Sequence, residues 1–252
     1  MRGKLIVIEG TDCSGKETQT MLLEKKLNSL NIDSKHLSFP MYDTPTGKII
    51  ATCYLGKEEY CDKLFKNNIR GLFEEGASNV DYLTSSLYYA ADRRYNRNKI
   101  MELLDNGVNV ILDRYIYSNL AHQGGKIYDG EERYKFYKKM ELLEFEILEM
   151  PKPDKVIFLY VPYDAALELK QSRKESADQH EASKEHLLNA ERAYFELADI
   201  YKFDIINCAP DNKIRSIESI NEELYSKVEL LVKKKKRWKN IIRFLLFWFW
   251  WL

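Results

Sequence analysis

The chain has 252 residues, of which 45% are hydrophobic and 31% are charged, with only 11 glycines and 6 prolines. This composition excludes a collagen-like or Gly/Pro-rich disordered chain and is typical of a globular protein with one large domain or two small ones. The four cysteines lie too far apart in the sequence for a zinc finger or a disulfide scaffold. The apolar run near the start is too short for a signal peptide, so we expect a cytoplasmic protein.

The net charge of zero conceals two segments of different composition. Residues 233–252 hold seven basic residues, no acidic residue and all four tryptophans, which leaves 32 basic and 39 acidic residues in residues 1–232. A body with a net charge of −7 argues against nucleic acid as a partner. We therefore expect a folded domain over 1–232 and a separate basic, aromatic tail over 233–252.

Short apolar runs alternate with amphipathic stretches along the body. The predicted strands are 5–8, 34–39, 108–112, 156–161 and 203–207. The predicted helices are 16–30, 80–104, 133–149, 164–173, 184–201 and 214–232. Strands that alternate with helices form βαβ units, so we expect an α/β fold with a five-stranded parallel sheet covered by helices on both faces. Ligands bind such sheets beyond the carboxyl ends of the strands.

The first predicted strand leads directly into the pattern Gly-x-x-x-x-Gly-Lys, from Gly10 to Lys16, and a predicted helix follows. Glycines allow backbone N–H groups to turn inward around phosphate oxygens, and Lys16 can bridge phosphates as a point charge. Glu17 stands where Ser or Thr usually offers a hydroxyl to Mg²⁺, and Thr18 follows it. The candidate residues for binding the phosphates of a nucleoside triphosphate are Gly10, Thr11, Asp12, Cys13, Ser14, Gly15, Lys16, Glu17 and Thr18.

Two further motifs supply acidic, basic and aromatic side chains. Asp113 ends the third predicted strand in the manner of a Walker B acid, and Arg114 after it suits a phosphate clamp. Tyr89 precedes Arg93 by four residues on a predicted helix, so the two share a face that can stack on a base and hydrogen-bond to its edge. Taken alone, these patterns also fit a solvated Asp–Arg pair and a core aromatic beside a snorkelling arginine.

Together the motifs resemble the thymidylate kinase family of P-loop nucleoside-monophosphate kinases, over about residues 3–230. The resemblance rests on the phosphate loop with Thr18 and Gln19, on Phe39-Pro40-x-Tyr42, on Tyr89-Ala90-Ala91-Asp92-Arg93, and on the segment from Asp113 to Gln123. It implies a three-layer P-loop kinase fold and ATP-dependent phosphorylation of dTMP to dTDP by in-line transfer, for dTTP synthesis. It also implies Mg²⁺ as cofactor, ATP and dTMP as substrates, and a homodimer.

The resemblance further implies roles for individual residues. The catalytic candidates are Asp12, Lys16, Arg114 and Arg173, and the metal candidates are Asp12 and Asp113. The candidates for binding dTMP are Asp12, Phe39, Tyr42, Tyr89, Arg93, Arg114, Ser118, Asn119, His122 and Gln123. Among these, Phe39 and Tyr89 would flank thymine, and Arg93 and Asn119 would read its edge. The polar stretch at about 170–183 resembles a lid over the phosphates, with Arg173 as its catalytic cation.

Several features keep other interpretations open. Glu17 and Met41, which replaces an arginine found in many family members, also fit a non-catalytic nucleotide-binding module, and a related P-loop kinase could act on another nucleotide or nucleoside. His186 is expected on the surface. The nine apolar residues that end the tail span about 14 Å as a helix, too short to cross a bilayer. Beside a polybasic run they suit contact with a membrane surface, the alternative being a non-native extension.

Overall fold

The computed structural model describes residues 1–57, 59–61, 72–73, 76–171 and 184–233. Five strands form one parallel sheet with the spatial order β2-β3-β1-β4-β5, which confirms the predicted fold class. The strands are β1 (Leu5–Gly10), β2 (Ser34–Ser38), β3 (Asn109–Asp113), β4 (Lys155–Tyr160) and β5 (Asp204–Asn207).

Helices follow the strands and cover the sheet. They are α1 (Lys16–Ser29), α2 (Pro45–Ile49), α3 (Tyr82–Tyr95), α4 (Arg97–Asp105), α5 (Ile116–Gly124), α6 (Gly130–Glu141), α7 (Tyr163–Gln171), α8 (Lys184–Tyr201) and α9 (Ile217–Val232). Helix α2 continues into a π-helical turn (Ile50–Tyr54), α6 continues into another (Leu142–Ile147), and a 3₁₀ turn (Pro210–Asn212) precedes α9. Within the described ranges, every helix is too short or too polar to span a bilayer.

Strand β1 is buried along its whole length because both faces of the sheet are covered. Leu5 and Val7 point to one face, where they join a hydrophobic cluster built mainly from α5, α6 and α8. Ile6 and Ile8 point to the other face and pack against side chains of α1 and α9. The alternation of side chains along the strand therefore divides the core into two layers of helices around one sheet.

Several elements differ from the helices predicted by periodicity, and α2 with the π-helical turn after it was not predicted. The predicted helix 80–104 is two helices, α3 and α4, separated at Asn96, whose side-chain amide donates to the backbone oxygen of Asp92 at 2.9 Å. Helix α5 was not predicted at all. Eight of its nine residues are buried, and the polar residues Ser118, Asn119 and Gln123 line the cavity described below instead of facing solvent.

The carboxyl edge of the sheet brings separate parts of the chain together. In the register of the sheet, Asp113 at the end of β3 lies beside Ile8 of β1 and Ser38 of β2. The segments that follow these three strands carry the phosphate loop, Phe39 and Arg114. The site predicted from sequence is thus assembled where parallel strands of such a sheet end.

Candidate functional site

A cavity of about 330 Å³ opens at this edge of the sheet. Of the predicted site residues that the structure describes, all except Gly10 and Thr11 line it. Six further residues line it as well, and the sequence analysis did not name them as site residues: Ser38, Pro40, Leu55, Lys57, Asp92 and Tyr115. The predicted loop, strand ends and helix faces therefore meet around a single space.

The phosphate loop is shaped by its backbone. Cys13 and Gly15 both have left-handed φ values, of 60° and 73°. Gly10 is required for a different reason, because a Cβ there would lie 2.7 Å from the backbone oxygen of Leu159 on β4. Thr11 lies outside the cavity, and its hydroxyl donates to the backbone oxygen of Val161 at 2.9 Å. This hydrogen bond connects the loop to the residue that follows β4, the strand that pairs with β1.

Lys16 lies inside the curve of the loop and is 7% exposed. Its ammonium donates to the backbone oxygens of Gly10 and Thr11, at 3.1 and 2.8 Å, and to the hydroxyl of Ser14. Burial and the charge of Arg114 lower the pKa of Lys16 to about 8, although nearby carboxylates act in the opposite direction. The loop thus holds a cation that is protonated at neutral pH.

Arg114 and Asp12 join the phosphate loop to the segment after β3. Nη2 of Arg114 donates to Oδ1 of Asp12 at 2.8 Å. Burial acts to raise the pKa of Asp12, but the charges of Arg114 and Lys16 and the hydrogen bond from Arg114 hold it well below its usual range. Arg114 has a left-handed φ of 64°, which is unusual for a residue with a side chain. Such strained backbone is maintained only where the surrounding structure fixes it.

The acidic groups near the loop fit Mg²⁺. Asp113 is 6% exposed, and its Oδ1 is buried without a hydrogen-bond partner in the described structure. A buried carboxylate oxygen in this state is suited to a metal or its hydration water. Glu17 is exposed at the rim of the cavity, so its carboxylate need not lie against the phosphates. No group of three or more metal-ligating side chains occurs among the residues that the structure describes.

Two amide side chains that line the cavity are suited to binding a base. Asn119 donates to the backbone oxygen of Ser86 at 3.2 Å, and its own Oδ1 is buried and unpaired in the part of the chain described. The amide oxygen and nitrogen of Gln123 are also buried without a hydrogen-bond partner in the described residues. Buried polar groups normally have partners, so these two side chains indicate a ligand with hydrogen-bond donors and acceptors on its edge. Arg93 also lines the cavity and is paired with Glu144.

Asp92 fixes the loop that carries Phe39 and Tyr42. Its carboxylate accepts from the backbone N–H of Met41 at 2.9 Å and from the hydroxyl of Thr46 at 2.6 Å. Because Asp92 belongs to α3, these bonds hold the loop after β2 against the helix that carries Tyr89 and Arg93. Asp92 stood inside a motif that the sequence analysis quoted, but its role depends on contacts that span 51 residues.

The expectation that His186 lies on the surface is wrong. His186 is 7% exposed and lies on α8, which packs against α5. Its Nε2 lies 3.1 Å from Nδ1 of His122, and Nε2 of His122 lies 3.4 Å from Nη1 of Arg114. Burial lowers the pKa of both histidines, to about 4 for His186, so both are neutral near pH 7. Because Arg114 can only donate, His122 accepts at Nε2 and donates from Nδ1 to His186.

Two predicted features lie outside the described residues. They are Arg173 with most of the lid stretch, since 172–183 are not described, and the tail from 234 onward. The division into a domain over 1–232 and a tail also stays a prediction, as do the individual roles assigned to site residues.

The chain is similar to known proteins over most of its length. The sequence model of the thymidylate kinase family matches residues 8–67 and 57–220. The chain is 30% identical over 238 residues to thymidylate kinase from Prochlorococcus marinus strain NATL1A, covering 93% of this chain and all of that protein. It is 28% identical over 234 residues to the Dictyostelium discoideum thymidylate kinase, covering 92% of this chain and 88% of that protein.

A solved structure leads to the same family. The structure of thymidylate kinase from Candida albicans superposes with a TM-score of 0.64 at 28% identity, covering 91% of this chain and 92% of the other. The family match, the whole-length relatives and the shared fold confirm the resemblance that the motifs indicated. The chain therefore belongs to the thymidylate kinase family, whose function is the phosphorylation of dTMP to dTDP.

Proposed function

We propose that this chain transfers the γ-phosphoryl group of ATP to the 5′-phosphate of dTMP, forming ADP and dTDP. The observation that carries the proposal is the 2.8 Å bond between Arg114 and Asp12, which joins the phosphate loop to the Asp-Arg-Tyr segment inside one cavity. A site that binds two phosphorylated substrates needs cations on both sides of the transferred group. Lys16 and Arg114 supply them from different elements.

In this proposal, each end of the cavity has its own task. Lys16 and the backbone of the phosphate loop bind the ATP phosphates, and Arg114 with Tyr42 binds the phosphate of dTMP. Phe39 and Tyr89 contact the thymine ring, and its edge is read by Arg93 and Asn119. Phosphoryl transfer then depends on alignment and on neutralising the charge that develops on the transferred oxygens, since the protein forms no covalent bond.

Asp113 and Asp12 would hold Mg²⁺, the first through its buried and unpaired Oδ1. When bound, the ion neutralises charge on the phosphates and helps to orient them. Asp12 is ionised at neutral pH because the positive charges around it keep its pKa low. Asp12 also accepts a hydrogen bond from Arg114. In this proposal the same carboxylate orients the arginine that binds the phosphate of dTMP and helps to hold the metal ion.

We also propose that two copies associate through α3. Leu83 and Leu87 are 51% and 49% exposed and lie four residues apart, so they share one face of this helix. Leu142 and Ile147 of the second π-helical turn are 56% and 64% exposed. An apolar surface of this kind favours association with a second copy. Light scattering at micromolar concentration tests it, and a monomeric mass would refute it.

One assay tests the proposed reaction. ATP and Mg²⁺ are supplied with each of dTMP, dUMP, UMP, CMP, GMP and AMP, and ADP formation is measured by a coupled assay. The proposal requires dTMP to be the preferred acceptor, with dTDP identified as the product. Preference for another acceptor would favour the related-kinase alternative, and binding without turnover would favour a non-catalytic module.

A further inference from the structure

Glu9 is a buried carboxylate that the proposed mechanism does not use. It is the residue before Gly10, at the end of the central strand β1, and it is 0% exposed. Burying a carboxylate is unfavourable unless hydrogen bonds replace the water that it loses. The partners of Glu9 therefore indicate what the side chain does.

All the described partners of Glu9 lie outside the phosphate loop. Oε1 accepts from the backbone N–H groups of Tyr115 and Ser118, at 2.9 and 3.2 Å. Oε2 accepts from the hydroxyl of Ser118 and from that of Tyr194 on α8, the latter at 3.3 Å. The backbone groups lie at the first turn of α5, where N–H groups have no partner within the helix. Glu9 thus satisfies this helix end and places a negative charge at its positive pole.

These bonds enclose the strained residue of the site. The backbone N–H of Arg114 donates to the oxygen of Ile8 at 3.0 Å, and that of Tyr115 donates to Glu9. Two successive residues of β1 therefore hold the chain on both sides of the left-handed conformation of Arg114. A left-handed residue with a side chain persists when neighbouring contacts over-determine it.

A second path connects Glu9 with the guanidinium itself. Nη1 of Arg114 lies 3.5 Å from the hydroxyl of Ser118, and that hydroxyl donates to Glu9. The Ser118 oxygen can accept from Arg114 while its proton is used by the carboxylate. Ser118 is also a predicted dTMP-binding residue that lines the cavity, and its hydroxyl belongs to this chain of bonds.

We propose that Glu9 is the positioning residue for Arg114, acting through Ser118 and the first turn of α5 to aim the guanidinium at the acceptor phosphate. The inference rests on the proposed function, in which Arg114 binds the phosphate of dTMP. It assigns the strand before the phosphate loop a role in binding the acceptor, in addition to supporting the loop that binds the donor.

The test is a double-mutant cycle in the full chain, with Glu9→Gln, Arg114→Ala and the combined variant. We measure kcat and KM for dTMP and for ATP, together with the melting temperature. Glu9→Gln is expected to lower kcat/KM for dTMP by about tenfold and to leave KM for ATP unchanged. Combined with Arg114→Ala, it is expected to cause less than about a twofold further loss, because the group that Glu9 positions is already gone.

Asp154→Asn is the matched control. Asp154 also binds β1, accepting from the backbone N–H of Leu5 at 2.9 Å, but at the end of the strand away from the cavity. This variant is expected to lower the melting temperature without changing kcat/KM for either substrate. If Glu9→Gln does not fold, Ser118→Ala replaces it in the cycle, since it interrupts the path to Arg114 and keeps both backbone bonds of Glu9.

The outcomes separate the inference from the proposed function. Full activity of Arg114→Ala would overturn the proposed role of Arg114, and the inference with it. If Arg114→Ala loses activity but Glu9→Gln keeps the kcat/KM of the unmodified protein for dTMP, the inference is overturned and the proposed function is not. The inference would also be overturned if the two substitutions acted independently, so that their fold-losses multiplied in the combined variant. It would be overturned as well if Glu9→Gln raised KM for ATP as much as it lowered kcat/KM for dTMP, because Glu9 would then act on the phosphate loop.

Discussion

Glu144 accepts hydrogen bonds from two nitrogens of Arg93, so the orientation of this guanidinium is set by the protein before any ligand arrives. Nε of Arg93 lies 3.1 Å from both carboxylate oxygens, and Nη2 donates to one of them. The side chains are 3% and 0% exposed, which makes the pair one of the most deeply buried charged groups of the described structure. Since Nε and Nη2 are used in this way, we expect Arg93 to contact the base through Nη1.

Removal of Glu144 is expected to destabilise the fold strongly. Glu144→Ala leaves an uncompensated buried guanidinium, and breaking a buried pair in this way costs about 3–5 kcal/mol of unfolding free energy. Urea denaturation measures the loss. The control is Glu146→Ala, because Glu146 and Lys152 form a pair 3.4 Å apart with side chains 63% and 66% exposed. Removing this exposed pair should change stability by about 1 kcal/mol or less, and equal losses in the two variants would contradict the prediction.

Arg93→Ala and Arg114→Ala are expected to fail in different ways. Loss of Arg93 should reduce the preference for dTMP over dCMP by about tenfold, because a polar group on the base then lacks its partner. Loss of Arg114 should weaken both acceptors alike, because every monophosphate carries the group that it binds. The comparison requires kcat/KM for both nucleotides in both variants. Identical substrate profiles would show that the two arginines do not divide the tasks.

Lys16→Ala should lower turnover by at least about 100-fold, because the transition state of phosphoryl transfer loses a fixed cation. Steady-state assay with saturating Mg·ATP and dTMP measures it. Lys25→Ala is the control, since Lys25 is an exposed lysine on the same helix, α1. Its turnover should match that of the unmodified protein. Activity of Lys16→Ala within a few fold of that control would contradict the assignment of the phosphate loop.

The pH dependence of donor binding should report the charge of Lys16. Its pKa of about 8 means that the free protein loses this cation as the pH rises through that value. We therefore expect kcat/KM for ATP to fall above about pH 8. Bound phosphates favour the ammonium form, so kcat should fall only at a higher pH.

Lys16→Arg distinguishes this group from others that titrate, because arginine keeps its charge over the whole range. The residual activity of this variant should not fall near pH 8. A fall at the same pH in both proteins would assign the titration to another group.

Deletion of residues 233–252 is expected to leave turnover and melting temperature nearly unchanged. The five strands and the helices that cover them all lie within residues 1–232. Sedimentation with anionic vesicles should show binding of the full chain and not of the shortened one, most strongly at low salt, because the attraction is electrostatic. Loss of kinase activity on truncation would place the tail inside the fold and would contradict the predicted boundary.

Sequence patterns predicted the parts of the site that are local in the chain. The phosphate loop lies between an apolar run and an amphipathic helix, so its type and its neighbours could be read directly from the sequence. Asp113 and Arg114 follow a buried strand, which placed them at the carboxyl edge of the sheet. These predictions needed only the order of residues and the rule that parallel strands end together.

The missing parts depend on contacts between distant segments. Ser118 and Glu9 are 109 positions apart, His186 and His122 are 64, and Glu144 and Arg93 are 51. A buried glutamate or histidine has the same letter as an exposed one, and only the packing of α5, α6 and α8 decides which it is. Helix α5 is also buried at eight of its nine residues, and several of its polar side chains line the cavity instead of facing water.

The strand order has a consequence for the way the chain folds during synthesis. Strand β1 leaves the ribosome first, but both its neighbours come much later, β3 at residues 109–113 and β4 at residues 155–160. Strand β1 therefore has both of its neighbours only after more than half of the chain has been made. Sheets closed by such distant pairings fold slowly and expose unpaired strand edges in the meantime. We expect the edges of β1 to stay unpaired in the nascent chain until β3 and then β4 have been made.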